Sequence, residues 1–101
     1  MKLVQILLPL GDNQGHAFPA ALHKEVKQFL SRRFRGLTAY SRAAAEGLWQ
    51  AGKAVKRDDI VVYEVMTDAF DKKWWKNYRR DLEKKFKQES IVIRVQKISL
   101  V

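Results

Sequence analysis

The hydrophobic pattern of this chain predicts an α+β sandwich: a four-stranded antiparallel sheet with two helices on one face. Three observations carry the prediction. Strand-like and helix-like segments follow one another as β-α-β-β-α-β. Two strand segments, "KLVQILLPL" and "IVVYEVM", are apolar on both faces, as central strands are. Each helical segment carries one apolar stripe and a basic back. At 101 residues and 47% apolar, the chain forms one domain, 1–101, with a core of its own.

The elements follow in order. In "KLVQILLPL", Val4, Ile6 and Leu8 lie on one face and Leu3 and Leu7 on the other; Pro9 has no N–H to give, so pairing is expected to end near Leu8. "GDNQGHAFP", 11–19, is a loop of turn-forming residues, with Pro19 suited to a first helical turn. "AALHKEVKQFLSRRF" spaces Leu22, Val26, Phe29, Leu30 and Phe34 as a helix stripe, and Gly36 is the expected C′ residue. "LTAYSR" is a strand, and "AAAEGLWQAGKAVKRDD" a long connection carrying Trp49. The clearest strand is "IVVYEVM", broken only by Glu64. Asp68 is placed as the cap of the second helix, with Asp71 in its first turn. "IVIRVQKISL" is the last strand. This order is the split-βαβ, ferredoxin-like arrangement, which puts the first and third strands in the middle of the sheet.

In the second helix, "DKKWWKNYRRDLEKKFK", Trp75, Tyr78, Leu82 and Phe86 step by three, four and four along one stripe, and Trp74 sits at its rim. The net charge is +9, and all of its excess lies in the two helical segments: +4 in 20–36 and +5 in 71–87, against seven basic and seven acidic residues elsewhere. Read plainly, these are amphipathic helices with a solvated Lys-rich back. The functional alternative is a nucleic-acid surface built from Arg32, Arg33, Arg35, Lys72, Lys73, Lys76, Arg79, Arg80 and Lys84. Base stacking on the sheet has little support, because "DDIVVYEVM" lacks the Lys/Arg-Gly-aromatic motif of RNA-binding sheets.

The sheet face away from the helices should carry Leu3, Gln5, Leu7, Glu64, Arg94 and Gln96, with Thr38, Tyr40 and Arg42 or their alternates. Such a mixed, partly apolar face suits a partner surface, and a homodimer through it is expected. Glu64 interrupts an apolar run; desolvated, it would serve as a general acid or base, and otherwise it pairs with Arg94 or Arg42 across the sheet. The loop offers Asp12, Asn13 and His16 as further candidates near Glu64 or Trp49, His16 as a second acid or base, although a turn explains them equally well. Tyr40, Arg42, Trp49 and Arg94 complete a ligand-binding set, the arginines for an anionic group.

No metal site and no cofactor are expected: cysteine is absent, there are two histidines, and no nucleotide fingerprint occurs. "MKLVQILLPLG" starts like a leader, but Gln5 interrupts it and no cleavage site follows, so it reads as a first strand in a cytoplasmic protein with no membrane partner.

"GLTAY", "EGLW" and "RDDIVVYEV" together resemble small bacterial proteins of about this length with a ferredoxin-like fold and no characterised activity. The resemblance implies that fold and carries no residue role. The function expected from the residues is a homodimeric ligand-binding or accessory domain with a pocket near the open sheet face. A nucleic-acid-binding module is the alternative, and whether the domain is an enzyme stays open.

Overall fold

The computed structural model describes residues 1–34, 36–41 and 59–101, without the side chains of Tyr40 and Ser41. Six elements follow in the order β1 (Lys2–Pro9), α1 (Ala20–Arg33), β2 (Leu37–Ser41), β3 (Ile60–Thr67), α2 (Lys72–Lys85) and β4 (Val92–Lys97). The sheet order is β2-β3-β1-β4, with every neighbouring pair antiparallel. The two strands apolar on both faces are therefore the central ones. No helix among the described residues is long and apolar enough to cross a membrane.

One sheet face is sealed by the helices. Val4, Ile6 and Leu8 of β1 pair with Val65, Tyr63 and Val61 of β3, and all six are buried. Val26 and Leu30 of α1, Trp75, Tyr78 and Leu82 of α2, and Phe86 at its C-cap join the same cluster. Phe29, expected on the α1 stripe, is 38% exposed and lies at the helix–helix seam, stacked on Trp74 at 6.1 Å.

Several boundaries differ from expectation. β1 pairs through Pro9, which faces Ile60, and Leu10 N–H donates to Asp59 C=O at 3.0 Å; bonded and non-bonded pairs alternate, so Pro9 falls at a non-bonded pair and its missing N–H costs the β1–β3 ladder nothing. Asp71, not Asp68, caps α2, accepting from Trp74 N–H at 3.2 Å. Asp68 sits before the helix, 3.8 Å from the Met1 ammonium. α1 ends on an extended Phe34, so Gly36 (φ 73°) lies past the C′ position and serves the turn into β2. β4 is shorter than the segment that suggested it.

Candidate functional site

On the face away from the helices, the register aligns one polar row across all four strands: Thr38, Glu64, Gln5 and Arg94. Apolar residues flank it. Met66 and Leu3 lie on one side, with Gln96 at the end of their row; Val62, Leu7 and Val92 lie on the other. Gln5, Glu64, Leu3 and Leu7 are half-buried, Val62 is fully buried, and Thr38, Arg94 and Gln96 are exposed. The Gln5 side-chain amide donates to Glu64 Oε2. That bond fixes the carboxylate against β1. Glu64 and Arg94 do not face each other directly: Gln5 stands between them, about two strand spacings, or roughly 10 Å, apart. Arg42 and Trp49 lie outside the described residues, as does the side chain of Tyr40.

The first loop is built otherwise. Asp12 Oδ1 accepts from the N–H groups of Gln14 at 2.8 Å and His16 at 2.9 Å, and Gly11 bridges to Ala17. These bonds, the one from His16 foremost, hold the Asp12 carboxyl below its usual range. His16 Nδ1 lies 3.5 Å from Asp12 Oδ2, and its side chain is 74% exposed. Asn13 is exposed. Glu64 faces Gln5, and Gly11 lies six positions further along the chain, roughly 20 Å of extended backbone. The structure therefore groups Asp12 with His16 and Glu64 with Gln5, and keeps the two pairs apart.

No family model matches this sequence, and no curated protein matches it. Among solved structures, the chain is similar to a phage SAM lyase in complex with S-methyl-5'-thioadenosine, with a TM-score of 0.54 and 15% identity over 95% of this chain and 80% of that one. At that identity, what the two share is the fold.

On the helix layer, Arg32, Arg33, Lys72, Lys73, Lys76, Arg80 and Lys84 are exposed, Arg79 is half-buried, and Arg35 lies outside the described residues. They do not form one cationic sheet. The Arg33 guanidinium stacks over Trp74 at 4.2 Å. The groove between the helices, ≈ 240 Å³, has Glu25 and Asp81 on its walls beside Arg32 and Lys85. Arg79 lies 3.8 Å from Glu83. The paired tryptophans belong to packing: Trp75 is buried, and Trp74 stacks on Tyr78 at 5.3 Å and meets Phe34 edge-on at 5.7 Å.

One polar group escaped the sequence reading. His23 is 1% exposed in the core layer. Its Nδ1 lies 2.6 Å from the Tyr63 hydroxyl and its Nε2 3.0 Å from Pro9 C=O. A carbonyl only accepts, so Nε2 carries the proton and Nδ1 accepts from Tyr63. Burial lowers the His23 pKa, opposed by the Pro9 bond, and burial raises that of Tyr63. The clue was available: His23 falls three residues before Val26 and seven before Leu30, on the buried stripe.

Proposed function

We propose that this protein is a small-molecule-binding domain whose site is the open sheet face around the Gln5–Glu64 pair. The observation that carries the reading is the polar row Thr38–Glu64–Gln5–Arg94 laid between apolar rows on the two central strands and their neighbours. The Glu64 carboxylate, held by the Gln5 amide, is an acceptor for hydroxyl or amine donors of a ligand. Leu3, Leu7 and Met66 offer flat apolar contact beside it, and Arg94 sits where an anionic end would reach. A nucleoside-like molecule combines those features. The phage SAM lyase of similar fold is in complex with S-methyl-5'-thioadenosine, which supports that choice of ligand class. Met66 at 37% and Val92 at 52% exposure leave apolar surface that a second copy, sheet against sheet, would cover. The dimer reading expects a two-chain mass by sedimentation at micromolar concentration; a monomer throughout that range removes it.

The binding test uses amide NMR shifts with S-methyl-5'-thioadenosine and adenosine monophosphate as probes. Saturable shifts along β1 and β3 are expected, with Glu64→Gln weakening binding roughly 10- to 100-fold, the value of a hydrogen bond to a charged group, while the spectrum stays folded. Shifts absent with both probes, or unchanged in Glu64→Gln, defeat the proposal. In this reading Glu64 is also the group positioned for proton transfer, with the solvent-facing His16 a distant second.

A further inference from the structure

β4 is an edge strand, and its outer side is chemically distinctive. Ile98 N–H donates to Met1 C=O at 3.0 Å, continuing the register in which Lys2 faces Lys97. Bonded and non-bonded pairs alternate along an antiparallel ladder. Gln96, Arg94 and Val92 therefore turn their backbone groups to β1, and Lys97, Val95 and Ile93 turn theirs outward. No strand among the described residues pairs with that edge. Edges of this kind invite a further strand unless they are covered or blunted.

The side chains at those positions reinforce the point. Ile93 and Val95 line a groove of ≈ 150 Å³ against α2, walled by Phe70, Trp75, Lys72, Lys76 and Arg79. Val95 is 40% exposed. The described lining holds three cations and no carboxylate; Arg79 Nε, though buried, makes no hydrogen bond, and Glu83 lies 3.8 Å from it on the same helix. The groove is thus apolar at its floor and cationic at its rim, beside a row of outward backbone donors and acceptors.

We propose that β4 and the adjoining flank of α2 form a docking edge for an extended acidic peptide segment of a partner protein, which joins the sheet as a fifth strand. Its alternate residues, opposite Ile93 and Val95, turn toward α2, where acidic side chains meet Lys72, Lys76 and Arg79. A second copy is a poorer occupant of the edge. β4 carries Arg94 and Lys97 and no acid, so β4 against β4 brings like charges together. Nucleic acid would use the cations and leave the backbone edge and the apolar floor idle.

The test uses the whole protein and a capped peptide of roughly eight residues, a common strand length, alternating glutamate and valine. Saturable binding is expected, with amide shifts concentrated at Ile93, Val95 and Lys97. Lys72→Glu combined with Lys76→Glu should weaken it about fivefold to tenfold, the value of two exposed ion pairs, with the far-UV spectrum unchanged. The same peptide N-methylated at alternate amides should bind far more weakly. Equal binding of the N-methylated peptide would falsify strand addition. An oligonucleotide that shifts the same amides and displaces the peptide assigns the groove to nucleic acid instead. Self-association abolished by Val95→Lys assigns the edge to a second copy, and either outcome overturns the proposal.

Discussion

His23 ties four elements together from inside α1. It donates to Pro9 C=O at the end of β1, accepts from Tyr63 on β3 and meets Phe86, at the end of α2, edge-on at 5.0 Å. Protonating Nδ1 would reverse the bond, with the Tyr63 oxygen accepting and its own proton losing its partner, and would place a charge in the core. Unfolded histidine takes its proton near pH 6.5, and the folded ring, its value lowered by burial, takes one only below that. Between those two pH values the unfolded chain holds more protons, so stability falls as the pH falls. Thermal unfolding followed between neutral pH and pH 5 should show a midpoint that drops below about pH 6.5, and His23→Gln should remove that part of the slope. Tyr63→Phe removes the hydroxyl that satisfies Nδ1 and should cost about 1–3 kcal/mol in denaturant unfolding. A variant as stable as the parent would show that the bond contributes nothing net.

At the scale of elements, α2 is held by its two ends. Asp71 caps the start through Trp74 N–H. At the other end Gln88 N–H donates to Glu83 C=O at 2.9 Å and Lys87 N–H to Lys84 C=O at 3.3 Å, the double bond of a Schellman stop. That stop needs a left-handed residue, and Lys87 supplies it at φ 51°, where a side chain is strained. Asp71→Ala should therefore destabilise by about 1 kcal/mol, and Lys87→Gly should stabilise by roughly 0.5–1 kcal/mol by relieving the strain. Equilibrium urea unfolding measures both. If Lys87→Gly destabilises instead, the flexibility that glycine adds to the unfolded chain outweighs the relief.

At the scale of the whole molecule, the question is what a charge of +9 does. Its excess lies on the helical segments, where Arg33 is engaged on Trp74 and the central groove also holds Glu25 and Asp81. Exposed charges spread in this way attract polyanions at low salt and lose them to screening within a Debye length of about 8 Å at physiological ionic strength. Mixed-sequence DNA and RNA oligonucleotides should therefore bind weakly in dilute buffer and release at physiological salt. Tight binding that persists there, with a steep salt slope, would make the helix layer a nucleic-acid surface and reverse the functional ranking drawn from the open sheet face.

By itself the sequence determined the βαββαβ order, the two central strands and the buried stripe Trp75–Tyr78–Leu82–Phe86, because these depend on periodicities of two and 3.6 residues that burial imprints locally. It also placed Gln5 and Glu64 on the face away from the helices, since parity along a strand is a local property. Helix ends were less legible: Asp68 and Asp71 are both plausible caps until the backbone shows which one meets an orphan N–H. Only the tertiary structure decided the rest. Register between strands far apart in sequence set Gln5 between Glu64 and Arg94. The same packing separated His16 from Glu64 and closed His23 against Tyr63. It also turned Ile93 and Val95 into an edge beside Lys72, Lys76 and Arg79. Pairings of that kind depend on distances between segments, and no repeat along a single segment encodes them.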